Sequence, residues 1–149
     1  MRRYLLDSDI LSYLEQKDSL FSPSVRKHLS RLDDDDEVIV SLLSLYELQY
    51  GISWGPEEDR DCLLQSIASI EKRFPAINLS RTGAAVFGKL KSAYRKYSGS
   101  SPINLKRNDI DFLIASSAIS EDATLVSNDK IFLAVKDIEP SLKLENWAV

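Results

Sequence analysis

Cysteine and histidine are nearly absent. In 149 residues there is one of each, Cys62 and His28. A lone cysteine forms no internal disulfide, which suits a reducing compartment. One cysteine and one histidine are also too few ligands for a structural zinc site. A serine–histidine–aspartate triad would have to use His28. That residue lies in SVRKHLSRL, on what reads as a polar helix face, so a solvated surface residue is expected there. The five glycines form neither GxGxxG nor GxxxxGK[ST], which removes the usual phosphate-cradling loops. No apolar run approaches the roughly 18 residues that a membrane span needs. Asp7 and Asp9 interrupt the apolar stretch of MRRYLL too early for a secretory leader. The expectation is a cytoplasmic protein with no membrane association, whose chemistry, if it has any, is carried by carboxylates.

What is present is an ordinary core and an uneven charge. Apolar residues make up 44% of the chain, and the mean hydropathy is −0.20. At this length one domain over residues 1–149 is expected, large enough to bury a core. The net charge is −4, but its distribution says more. Lys72, Arg73, Arg81, Lys89, Lys91, Arg95, Lys96, Lys106 and Arg107 fall in a span from 72 to 108 that contains no acid. The rest of the chain holds ten of the 19 bases and all 23 acids, a net of −13. Such a span reads equally well as a surface for a phosphate backbone or as a solvated helix face.

Strands and helices alternate along the sequence. Strands are expected at 3–6, 37–42, 76–79, 123–127 and 142–145. Helices are expected at 8–16, 25–32 with Ser24 as cap, 44–52, 57–73, 81–97, 108–120 and over KIFLAV. Ser98 to Arg107 reads as a mobile loop. The fold class is therefore α/β, with a parallel sheet covered by helices on both faces. In such sheets, sites form outside the carboxyl ends of the strands. Asp7 and Asp9 follow the first strand. Ser41 ends the second, with Glu47 one helical turn into the next helix. Ser127, Asn128 and Asp129 follow a later strand, and Asp109 and Asp111 open a very apolar helix.

Each acid also has a plainer explanation. Asp7, Ser8 or Asp9 could cap the first helix, and Ser44 with Glu47 matches a capping box. Asn108 or Asp109 could cap the helix that follows, where Asp111 would favour the positive end. Asn128-Asp129 could be a turn. Taken together these explanations weaken, because Asp111 runs directly into Phe112, Leu113, Ile114 and Ala115. Two carboxylates ~5 Å apart repel by roughly 3 kcal/mol at an effective dielectric of ~20. A cluster of four therefore needs protons or a cation. All-oxygen ligation suits magnesium or manganese. Acids and a divalent ion beside a basic span point to phosphodiester hydrolysis.

The motifs resemble those of the PIN-domain ribonucleases, most closely the VapC-type toxins of bacterial toxin–antitoxin pairs. YLLDSDILSYL is similar to the family's opening strand and D-T/S-N/D-I/L motif. VIVSLLSLYELQYG resembles its S-x-x-x-x-x-E-L-x-x-G segment, and DFLIASSAI its D-x-x-I-A-A-x-A helix, which selects Asp111 over Asp109. TLVSNDKIF and LENWAV resemble its last strand-turn and its terminal tryptophan. The resemblance implies a three-layer α/β/α fold around a parallel sheet of about four to five strands, with the acidic site at the strands' carboxyl ends. It implies that Asp7, Glu47, Asp111 and Asp129 are catalytic and hold one or two Mg²⁺ or Mn²⁺ ions. Ser127 would support them, and Asp9, commonly Asn, would be a further ligand or tune affinity. The implied reaction is metal-dependent endonucleolytic hydrolysis of RNA, with Lys106 and Arg107 nearest the acids for RNA contact. The implied partners are an antitoxin and a second copy of the chain. A PIN nuclease of RNA processing without an antitoxin and a non-catalytic binding module remain as alternatives.

Overall fold

The structure, a computed structural model, describes residues 1–149. The chain runs β1 (Arg3–Leu6), α1 (Ser8–Glu15), α2 (Ser22–Ser30), β2 (Glu37–Ser41), α3 (Leu42–Trp54), a 3₁₀ turn (Glu57–Asp59) and α4 (Arg60–Arg73). It continues β3 (Ala76–Ile77), α5 (Arg81–Ser98), α6 (Pro102–Lys106), α7 (Asp109–Ser120), β4 (Thr124–Val126), α8 (Ile131–Ile138) and β5 (Lys143–Glu145). The five strands form one parallel sheet in the order β3-β2-β1-β4-β5. This is the α/β sheet expected, at the upper end of the expected strand number.

Successive strand residues point to opposite faces of the sheet. Leu5, Ile39 and Leu125, aligned across β2, β1 and β4, therefore enter one core with Leu90, Phe112 and Phe132 from α5, α7 and α8. Leu6, Val40 and Val126 enter the other, with Ile10, Leu11 and Leu14 of α1, Val25 of α2 and Ile70 of α4. Both faces are covered, which is why β1 and the end of β2 read as unbroken apolar runs. No helix is long and apolar enough to cross a membrane.

The order of the strands positions the site. From β1 the chain steps outward through β2 to β3, then returns to the far side of β1 to lay down β4 and β5. The direction of winding reverses between β1 and β4, and the crevice of an open sheet forms at the carboxyl ends of such a pair.

Three local expectations change. The second helix starts at Ser22, with Pro23 in its first turn, where a missing N–H costs nothing. Ser24 is not its cap. The expected loop from 98 to 107 contains α6, capped by the Ser101 hydroxyl on Asn104 N–H and anchored by the buried Leu105. Gly99, at φ +64°, ends α5 in the left-handed conformation that makes the turn into it. His28 is half-buried: its ring stacks on that of Trp147 at 5.7 Å, and Trp147 in turn packs on Tyr4.

Candidate active site

Five acids meet at the carboxyl edge of β1 and β4. Asp7 ends β1 and caps α1, its Oδ1 accepting the Ser8 N–H at 2.9 Å. Asp9 lies in the first turn of α1. Glu47 projects from α3 and Asp111 from the first turn of α7. Asp129 sits in the turn after β4, where its Oδ1 accepts the Ile131 N–H at 3.1 Å. Asp7 is the deepest, at 7% exposure, whereas Glu47 and Asp129 stand on the rim. The capping readings are thus right for Asp7 but do not exhaust its role. The capping box is not formed: Ser41, extended at φ −88° and ψ 142°, caps α3 with its own hydroxyl on Leu43 N–H. Ser44 is buried within α3 with its hydroxyl unpartnered, and Glu47 is free to face the other acids.

Ser127 ties two of the acid-bearing segments together. Its hydroxyl donates to Asp7 Oδ2 at 2.9 Å and accepts the Asp129 N–H at 3.0 Å. Asp9 Oδ2 accepts the Asn128 N–H at 2.9 Å. The side chain of Asn128 donates to Tyr13 and accepts from Asn146 at 2.8 Å, so the turn carrying Asp129 is held from α1 and from beyond β5. Asp9 therefore acts on the turn through a hydrogen bond that an asparagine oxygen would also accept. Without metal, Asp9→Asn is expected to melt above the parent, because it keeps that bond and removes a charge that raises Asp7 and Glu47. Asp9→Ala, which strands the Asn128 N–H, should lose about 1–2 kcal/mol in thermal denaturation.

No basic side chain relieves the electrostatics of the cluster. Burial first, then the Asp9 charge, raises Asp7 from 3.8 to about 7, against the opposing hydrogen bonds from Ser8 and Ser127. Burial, then Asp129 and Glu47, raises Asp111 to about 6. Asp9 and Glu47 are also raised, chiefly by burial, and Glu47 feels the charges of both Asp9 and Asp129. No lysine or arginine lies within 4.0 Å of any of the five. The contrast with a second acidic group is instructive. Asp33, Asp35 and Asp36 bring their oxygens within 4.8 Å of one another, closer than the five site acids, but Arg2 reaches Asp36 at 2.7 Å and Asp33 at 3.3 Å. That trio already has its cation, and the site does not.

The donor set fits a hard divalent ion: oxygen only, several carboxylates, one of them deep, and none neutralised by a base. Lys106 and Arg107 lie at the exposed end of α6, without an acidic partner, a few residues before Asp111. Asp109, which the resemblance set aside, points instead to α5, where Lys91 pairs with it. Sequence reasoning missed that pair and the Tyr13–Asn128–Asn146 links, whose members are far apart in sequence.

A sequence profile of the PIN domain matches residues 4–138. The chain belongs to the PIN-domain family. Over 147 residues, 97% of each chain, this PIN domain is 32% identical to Ribonuclease VapC2 of Rickettsia felis. A chain in the crystal structure of VapBC2 from Rickettsia felis, bound to a DNA fragment from its promoter, superposes with a TM-score of 0.77 at 29% identity, over 97% of this chain and 98% of that one. A chain of VapBC-1 from nontypeable Haemophilus influenzae has the same fold, with a TM-score of 0.75 at 19% identity over 99% of both chains. All five candidate acids of this PIN domain, and Ser127, lie within the matched residues.

Proposed function

We propose that this PIN domain is a metal-dependent endoribonuclease and the toxin of a toxin–antitoxin pair. Asp7, Glu47, Asp111 and Asp129 are assigned as the carboxylates that hold one or two Mg²⁺ or Mn²⁺ ions, with Ser127 and Asp9 supporting them. The observation that carries this reading is the cluster itself: acids from four separate segments gathered at the sheet's crevice with no protein cation among them, Asp7, Glu47 and Asp111 raised in pKa by burial and by neighbouring charge. The 32% identity to a protein named a ribonuclease supports RNA as the substrate.

A bound ion supplies Lewis acidity toward the scissile phosphate and lowers the pKa of water at neutral pH. The chain's own part is placement. Ser127 holds the Asp7 carboxylate from one side and the Asp129 backbone from the other. The buried setting of Asp7 keeps that carboxylate from turning to bulk water. The exposed, unpaired bases of the 72–108 span, with Lys106 and Arg107 nearest the acids in sequence, are suited to contact the RNA backbone.

A groove of about 480 Å³ runs from Asp9 and Glu47 along α1 toward Glu15, floored by Leu11, Leu48, Ile52 and Ile67. Its acidic ends and apolar floor suit a basic, amphipathic peptide, and Glu15 Oε1 is shut from solvent with no donor. We assign it to the antitoxin. A homodimer is assigned on the resemblance alone.

The test is cleavage of a mixed RNA pool by purified protein with Mg²⁺, with Mn²⁺ or with EDTA, beside Asp111→Asn. Cutting that needs the ion and is lost in the variant is the expected result. Cutting that survives EDTA, or survives in the variant, overturns the assignment.

A further inference from the structure

Of the nine bases between residues 72 and 108, eight are exposed and have no acid within 4.0 Å; Lys91 is the exception. Its Nζ lies 2.6 Å from Asp109 Oδ1, with both side chains 30% exposed. That oxygen is closed to solvent, and no other donor reaches it. Lys91 and Tyr94 are three residues apart on α5 and share a face. Asp109 and Phe112 are three apart on α7, and the Tyr94 and Phe112 rings lie 5.1 Å apart. Two rungs, 91 to 109 and 94 to 112, thus bracket Asp111 within the most extensive helix–helix contact of the fold. The N-cap Asn108 adds no side-chain hydrogen bond to the first turn of α7.

We propose that Lys91 is a positioning residue for the acidic site: through Asp109 it sets the rotation of the first turn of α7, and so where Asp111 stands relative to Glu47 and Asp129. Residues 109 and 111 are about 200° apart around the helix axis, so Lys91 acts on Asp111 only through the backbone between them. The inference rests on the reading of Asp111 as an ion-holding carboxylate. It separates one base of the span from the other eight: Lys91 serves the acids, while the exposed bases remain for RNA.

The experiment compares Lys91→Met, Lys91→Arg and Asp109→Asn with Lys89→Met, an exposed base on the same helix, and with Asp111→Asn. Two quantities are read. One is the Mn²⁺ concentration giving half of the melting-temperature rise in protein stripped of metal. The other is the kcat and KM for RNA. Lys91→Met and Asp109→Asn should each raise the Mn²⁺ midpoint about tenfold and lower kcat by a similar factor, with KM within about twofold. Lys91→Arg should restore most of both, and Lys89→Met should raise KM alone. If Lys91→Met fails to fold, Asp109→Asn, which loses the same ion pair while keeping its shape, carries the test. An unchanged Mn²⁺ midpoint with only a lower melting temperature makes the pair a packing strut and overturns the proposal. A raised KM with unchanged kcat makes Lys91 an RNA contact and overturns it too. If Asp111→Asn leaves the Mn²⁺ midpoint unchanged, the reading of Asp111 fails instead.

Discussion

Asp7→Asn is expected to abolish RNA cleavage and, in the absence of divalent ions, to make the protein more stable. The two effects share one cause. Asp7 is the deepest of the acids, and burial with the neighbouring Asp9 charge raises it from 3.8 to about 7. At roughly 1.4 kcal/mol per pH unit, holding it ionised in the folded protein at pH 8 costs at most about 4 kcal/mol. Asparagine has the same shape, can still accept the Ser8 N–H, and can turn its amide to the Ser127 hydroxyl. The Ser127 oxygen then accepts from residue 7 as well as from the Asp129 N–H, and its proton turns toward Asp9 Oδ2, 3.5 Å away. A gain of about 2 kcal/mol at pH 8 without metal is expected, read as a rise in melting temperature. With Mn²⁺ present the order reverses, because the parent gains ion binding that the variant lacks. Cleavage should fall by at least about 10³-fold, equivalent to about 4 kcal/mol of transition-state stabilisation. A variant that is inactive and also less stable without metal would mean that Asp7 is a structural cap whose loss damages the fold.

The opening strand and its acids were legible because the signal is local. Tyr4-Leu5-Leu6 passes directly into Asp7 and then into the helical spacing of Ile10, Leu11 and Leu14, all of them buried. The strand-end rule then placed Asp7, Glu47, Asp111 and Asp129 on one edge without any contact information. The capping-box alternative for Ser44 and Glu47 fails for a local reason as well: Ser41, the last residue of β2, already takes the cap. Other features rest on contacts that no short window contains. Asn128 N–H finds Asp9 across 119 residues, and Lys91 finds Asp109 across the α5–α7 interface. α6 was invisible because SSPINLK is short and polar; only the burial of Leu105 makes a helix of it. The stacking of His28 on Trp147 joins α2 to the chain's last residues, which no periodicity foretells.

The site should also make stability depend on pH in a direction that metal reverses. Asp7 and Asp111 have folded-state values near 7 and 6, above the ordinary 3.8. Between about pH 4 and pH 7 the folded protein therefore holds protons that the unfolded chain has released. Stability from this source is present at the acid end of the window and is lost as pH rises through 6 and 7. Asp36 runs the other way: its hydrogen bonds and ion pair with Arg2 hold it near 2, so its contribution is present above about 4 and fades only as pH falls toward 2. It leaves the window from 5 to 8 undisturbed. In metal-free protein the melting temperature should thus decline from pH 5 to pH 8. Mn²⁺ competes with those protons, so the rise in melting temperature that it produces should grow over the same interval. In Asp7→Asn most of the decline should vanish. A melting temperature flat from pH 5 to 8, with an Mn²⁺ effect independent of pH, would mean that the acids are not held together as closely as their shared burial requires.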